Sequence, residues 1–367
     1  MSRWSRRRFL GTTLGVAAGA LGGTSVAGCR SSARDERVLR ISNWPLYIDD
    51  RTIPEFQQAT GITVQYHEDI NDNNEFFAKI TAPLARGQSI DRDVIVLTDW
   101  VAGRMIRMGY ATPLQIGAFP NRANLSPLAQ DADFDPGRRY TVPWLFGMVG
   151  LGYNPRVTGR DITSVGDLFD PAFKGRVTMV TEMRDTLGLV MLGEGRDPMR
   201  CTAANIRAAA ARVRQARESG QVRAFTGNDY TEDLANGNIA VAIAWSGDIQ
   251  GLHADNPDLV WVAPREGAIL FSDNMLIPKT SDRVALAMQW IDWCYAPAHS
   301  AQIVSRAGYI SAVQGAIPAL ERIAPALAKS PLVNPPPAVL SQLRTFRALS
   351  DAEDSEFTRI FLDAIGG

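Results

Sequence analysis

Cysteine is scarce in this 367-residue chain, with Cys29, Cys201 and Cys294 the only three. So few thiols exclude a disulfide-stapled scaffold, and nothing in their spacing says whether Cys201 and Cys294 pair. Histidine is equally rare. His67, His253 and His299 stand far apart without metal-ligand spacing, so no metal site is expected. Lysine occurs four times, as Lys79, Lys174, Lys279 and Lys329, leaving arginine to carry nearly all the positive charge. No serine sits in a nucleophile-elbow pattern, and no glycine-rich phosphate loop ends in lysine. Gly150-Leu151-Gly152 is a fragment without the dinucleotide-binding context. These absences weigh against an enzyme and call for no cofactor. No fixed-period repeat or low-complexity tract is present, which excludes a solenoid.

The N-terminus differs from everything after it. Ser5-Arg6-Arg7-Arg8-Phe9-Leu10 is a twin-arginine pattern, followed by an apolar, charge-free run to Gly28. A basic start, an apolar middle and a small-residue end define an export signal. Val26-Ala27-Gly28-Cys29 matches the lipobox of bacterial lipoproteins, in which the cysteine thiol receives a diacylglycerol. Residues 1–28 are therefore expected to be a twin-arginine lipoprotein signal peptide, and residues 29–37 a tether anchored through Cys29. The rest is expected in the periplasm or on the outer face of the cytoplasmic membrane. An uncleaved anchor is the competing reading, but glycines scattered from Gly11 to Gly28 disfavour a stable spanning helix. Without the four arginines of the signal, 34 basic residues face 39 acidic ones. That balance disfavours a nucleic-acid partner and favours a cationic one.

The remaining chain alternates strand and helix patterns. Strands are predicted at 38–42, 62–66, 93–97, 177–180, 239–244, 259–262 and 275–277. Helices are predicted at 50–60, 75–86, 203–219, 281–295 and 357–365. Such alternation means an α/β fold with a mainly parallel sheet. In open parallel sheets, ligands bind beyond the carboxyl ends of strands. The segments at most of these ends share one composition, an aromatic ring beside a carboxylate. They are Asn43-Trp44-Pro45-Leu46-Tyr47, Thr98-Asp99-Trp100, Thr181-Glu182-Met183-Arg184-Asp185 and Trp245-Ser246-Gly247-Asp248, with Phe271-Ser272-Asp273 ahead of the strand at Met275. Ring faces attract cations, and carboxylates supply the countercharge. Aliphatic amines, with pKa near about 10.4, stay charged at neutral pH. Methylene chains bearing ammonium groups suit such walls. Each position alone reads equally well as core packing or a helix cap.

Longer motifs sharpen this. Ile41-Ser42-Asn43-Trp44, Asp93-Val94-Ile95-Val96, Val142-Pro143-Trp144-Leu145-Phe146-Gly147 and Gly150-Leu151-Gly152-Tyr153-Asn154 recur together with Tyr230-Thr231-Glu232-Asp233-Leu234-Ala235-Asn236-Gly237-Asn238 and Pro264-Arg265-Glu266-Gly267-Ala268. In these the chain resembles the periplasmic spermidine/putrescine-binding proteins of bacterial ABC importers, most of all their putrescine-preferring branch. The resemblance covers nearly all of the chain beyond the tether.

It implies a two-lobed class II periplasmic-binding-protein fold, each lobe a mainly parallel sheet flanked by helices, with a hinge between. Lobe 1 is expected to span 38–144 and 269–318, and lobe 2 to span 145–268 and 319–367. It also implies a polyamine ligand, an ABC permease and its ATPase as partners, and a monomer. By position, Trp44, Tyr47, Thr98, Trp100, Glu182, Asp185, Trp245, Asp248, Phe271, Asp273 and Tyr309 are the implied ligand-binding residues. Three departures stand out. Leu46 replaces an acid, with Asp99 a candidate substitute; Phe271 replaces a tryptophan of some members; Pro45 removes a backbone donor. The same scaffold binding a monoamine or amino-acid derivative is the alternative. An exported enzyme using the clustered acids is a remote one.

Overall fold

The computed structural model describes residues 37–253 and 255–367. The expected signal peptide, and Cys29 with its expected lipid, lie outside the described residues.

Strand β1 (Val38–Asn43) is buried almost throughout and pairs in parallel with β2 (Thr63–Glu68) and with β3 (Val94–Thr98). Helix α1 (Thr52–Thr60) connects the first two and stops at Gly61, whose φ of 68° is the left-handed turn that glycine adopts freely. Helix α2 (Asn73–Ala85) is capped by the Asp72 carboxylate, which accepts from the Asn74 and Glu75 amides. Helix α3 (Asp99–Arg107) follows β3 directly.

The short β4 (Ala111–Thr112) leads to β5 (Thr141–Tyr153), thirteen residues long and buried at every position. After a short α4 (Pro155–Thr158), β6 (Val177–Val180) pairs in parallel with β7 (Val222–Thr226) and β8 (Val241–Trp245). Their crossovers are α5 (Met183–Gly193), α6 (Ala203–Glu218) and α7 (Tyr230–Ala235). Helix α8 (Ser246–Leu252) then leads to β9 (Val260–Val262) and the eleven-residue β10 (Ala268–Pro278).

The main strand order is β2-β1-β3-β10-β5-β8-β6-β7. Two parallel triplets stand at the ends, and β10 and β5 join them by antiparallel pairing. These two long strands were only partly foreseen. Just 275–277 of β10 was predicted, because Ser272, Asp273 and Asn274 interrupt its apolar run. β5 carries Pro143, Gly147, Gly150 and Gly152, all poor strand formers.

Apolar side chains gather in two large cores and a smaller one. The first includes Leu39, Ile41, Val142, Met275 and Trp290, and takes in Ala319 to Val333. The second includes Val149, Val177, Ile243 and Phe357. The third packs Ile80, Val101 and Leu276 behind α3. Cys201 and Cys294 are buried free thiols. No described helix is long and apolar enough to cross a membrane.

Candidate functional site

The site is assembled where β10 and β5 run between the two large cores. Asp273 sits in mid-β10, 5 % exposed, at a shift in register against β5. Such bulges re-aim side chains. Tyr47 Oη donates to Asp273 Oδ2 at 2.8 Å, and Thr98 Oγ1 donates to Oδ1 at 2.8 Å. Thr98 in turn accepts from Asn73 Nδ2 at 2.9 Å, so the start of α2 sets the hydroxyl's direction. Burial pushes the Asp273 carboxyl up to about 6, against the pull of these two donors.

From Tyr47 the network continues through ring contacts. Its ring meets Tyr309 edge to face, with centroids 5.4 Å apart, and Phe271 approaches Tyr309 at 6.3 Å. Tyr309 Oη donates to Asp248 Oδ1 at 3.2 Å. Tyr230 Oη and Asn228 Nδ2 donate to the other oxygen at 2.7 and 3.0 Å. Tyr230 also accepts from the Trp245 amide at 3.0 Å, and the Trp245 indole donates to Asp185 Oδ2 at 2.8 Å. Burial raises the Asp248 carboxyl above its usual range.

Two glycines make room for these rings. A Cβ on Gly247 would lie 1.9 Å from the Tyr309 ring, and one on Gly147 would lie 2.2 Å from Phe271. A side chain at either position displaces an aromatic wall.

Glu182 and Asp185 flank the start of α5. Burial pushes Glu182 up to about 7, although Arg184 opposes the shift. Asp185 is raised well above the carboxylate range by burial and by Glu182 beside it. Arg184 forms its ion pair with neither of them. Its guanidinium covers the Trp100 ring at 4.3 Å and donates to Asp354 Oδ1 of the C-terminal helix at 2.7 Å. Asp99 is pushed up to about 6 by burial, again against Arg184.

Eight of the expected residues therefore join one connected set: Tyr47, Thr98, Asp185, Trp245, Asp248, Phe271, Asp273 and Tyr309. Trp100 and Glu182 line a small pocket of about 20 Å³ with Thr98, Asp185 and Phe271. Trp44 is half-buried and rests against the first and third cores. Leu46 does not face the network. Its side chain is 64 % exposed, its φ is 59°, and its amide donates to Glu68 Oε1 at 3.0 Å.

Asn73, Asn228, Tyr230, Gly147 and Gly247 were not assigned roles from sequence. Gly147, Tyr230 and Gly247 lie within conspicuous motifs, but a hydroxyl that reaches fifteen residues along the chain leaves no local signature. No ion pair among the described residues involves Asp185, Asp248 or Asp273; the two pairs with a fully buried carboxylate both use Asp354. Two buried carboxylates and the half-buried Asp248, held only by hydroxyl, amide and indole donors, are a receptor for positive charge.

Two cores meeting along buried rings and carboxylates define a two-lobed solute-binding protein. The family follows from comparison: the bacterial extracellular solute-binding protein model matches residues 52–334, and the chain belongs to that family. The putrescine-binding periplasmic protein SpuD of Pseudomonas aeruginosa strain UCBPP-PA14 is 30 % identical over 355 residues, covering 91 % of this chain and 93 % of the relative. The putrescine/cadaverine-binding protein of Pseudomonas aeruginosa strain PAO1 is 30 % identical over 303 residues, covering 78 % and 82 %. Among solved structures, a putative spermidine/putrescine ABC transporter from Listeria monocytogenes superposes with a TM-score of 0.79. It is 26 % identical, covering 89 % of this chain and 98 % of the other.

Proposed function

We propose that this chain is the extracytoplasmic substrate-binding protein of an ABC importer for putrescine- and spermidine-type polyamines. One observation carries the reading: Asp185 and Asp273 are buried and Asp248 half-buried, none of them joins an ion pair among the described residues, and aromatic rings bridge them. An unpaired buried charge costs several kcal/mol, on the order of 3–5 when its partner is removed. Ammonium groups offset that cost, and ring faces cover the methylenes between them, each cation–ring contact worth about 0.5–2 kcal/mol. The named ligands of its relatives, putrescine and cadaverine, support the same chemistry.

The lobes are 38–144 with 269–318, to which 319–333 is added because its apolar residues pack in the first core and not, as expected, in the second, and 145–268 with 334–367; they rotate about β5 and β10, and the ligand selects the closed state by touching both. Closure presents the docking face to the permease, which works with its ATPase. The protein performs no chemistry on its ligand and needs no cofactor or metal. It leaves the cytoplasm by the twin-arginine route, is lipid-anchored at Cys29, and acts as a monomer. Titration calorimetry with putrescine, spermidine, agmatine and cadaverine tests the ligand class. Saturable heat with at least one is expected; none from all four, on folded protein, overturns the reading.

A further inference from the structure

Tyr230 is not among the residues expected to touch ligand, yet two acids of the site depend on it. It opens α7, is 1 % exposed, and packs its ring in the second core. A buried phenol needs partners for its hydroxyl, and this one has two. Its Oη donates to Asp248 Oδ2 at 2.7 Å and accepts from the Trp245 amide at 3.0 Å. We propose that Tyr230 is a positioning residue for diamine recognition: its one hydroxyl aligns Asp248 directly and Asp185 through Trp245, while Asp273 is aligned independently. The proposal rests on the polyamine reading and deepens it.

The direction of both bonds is fixed. Burial first, and the charge of Asp248 next, hold the phenol well above its usual range, so the proton stays on Oη and points at the carboxylate. The lone pairs of the same oxygen are left for the Trp245 amide. Trp245 directly precedes α8, so holding its amide sets where the side chain leaves the backbone. The indole then donates to Asp185 Oδ2 at 2.8 Å, with the Tyr230 ring beside it at 5.9 Å between centroids. Asn228 donates to Asp248 Oδ2 as well, at 3.0 Å from an exposed position, but its bond bears on Asp248 alone.

Asp273 stands outside this arrangement, since Tyr47 and Thr98 take its two oxygens. Losing the Tyr230 hydroxyl therefore loosens one end of a diamine receptor and spares the other. It also changes how that end titrates. The phenols of Tyr230, Tyr309 and Tyr47 are the titratable groups facing Asp248. Burial pushes the Asp248 carboxyl up, and bonds from Tyr230, Asn228 and Tyr309 oppose the push. With one donor gone the carboxyl rises further, and it takes up its proton at a higher pH.

Calorimetry with putrescine and with the monoamine butylamine, on the mature protein and two variants, tests this. Tyr230→Phe keeps the buried ring and removes the hydroxyl. It is expected to weaken putrescine binding about tenfold or more and to change butylamine binding, which needs one acid only, by less than about threefold. Asn228→Ala takes one donor from Asp248 and leaves Trp245 held, so it is expected to weaken putrescine binding less. As pH is lowered, Tyr230→Phe is expected to lose putrescine at a higher pH than the parent, with the parent's far-ultraviolet spectrum. A putrescine-to-butylamine affinity ratio and a pH profile unmoved by Tyr230→Phe overturn the inference and leave the polyamine reading standing, as does a loss no greater than that of Asn228→Ala. If the parent gives no heat with putrescine, spermidine, agmatine or cadaverine, the polyamine reading falls and this inference with it.

Discussion

Asp273 has both carboxylate oxygens occupied by hydroxyls, from Tyr47 and Thr98, and no cation beside it. Asp273→Asn removes the charge without changing shape and is expected to weaken polyamine binding more than tenfold, as is Trp245→Ala, which removes a wall and the indole bond to Asp185. Calorimetry checks both; unchanged affinity in the two variants contradicts the site. The protonation of these acids gives a second prediction. Asp273 and Glu182 titrate near about 6 and about 7 when folded, above their unfolded values of about 3.9 and 4.3. The folded protein therefore holds protons the unfolded chain has released, and ligand-free stability falls as pH rises from about 4 to 7. An arriving ammonium favours the ionised form, so binding releases protons at pH 6 and tightens toward pH 8. Heats measured at pH 6 in buffers of different ionisation enthalpy report that release; identical heats contradict it. Leu46 supplies a test of strain alone. Its left-handed backbone costs about 1–2 kcal/mol for a residue with a Cβ, less for asparagine. Leu46→Asn is expected to raise the melting temperature.

At the scale of elements, five of the six strands in the parallel triplets were legible; β7 was not predicted, and of the strands joining the triplets only 275–277 of β10 was. Periodicity marked β1, β2, β3, β6 and β8 to within two residues, β2 by its alternation and the others as short, mostly apolar runs. β5 and β10 are obscured by the glycines and polar residues that the site requires. Gly147 and Gly247 break strand or helix propensity locally because an aromatic ring occupies the space of their missing side chains. Aromatic–acid segments named residues that the structure brings into one connected set, among them Thr98, Asp185, Trp245, Asp248 and Asp273. They could not reveal Tyr230, or that Arg184 is committed to Asp354, because those contacts depend on tertiary placement. Gly247→Ala is expected to displace the Tyr309 ring, break its bond to Asp248 and weaken binding more than tenfold with secondary structure intact. Parent-like affinity would show that the ring has another place to go.

At the scale of the whole molecule, α3 belongs to the third core and the C-terminal helix Asp351–Ile365 to the second, and ion pairs tie them. Arg104 and Arg184 both bond Asp354, and Arg107 bonds Asp351 at 2.8 Å. Burial works against it, but the two guanidinium groups hold the Asp354 carboxyl below its usual range. Removing one partner of a buried pair costs about 3–5 kcal/mol. Asp354→Asn is expected to lower stability by roughly that amount, measured by denaturant unfolding; an unchanged midpoint would mean the tie contributes nothing.

The central claim is that rings and unpaired carboxylates from both cores enclose an amine. A crystal structure of the spermidine complex examines it most directly. The account predicts nitrogens within hydrogen-bonding distance of Asp273 and of Asp248 or Asp185, with methylenes against Trp245, Phe271 and Tyr309. A ligand seated elsewhere, or nitrogens that touch none of these acids, would contradict it.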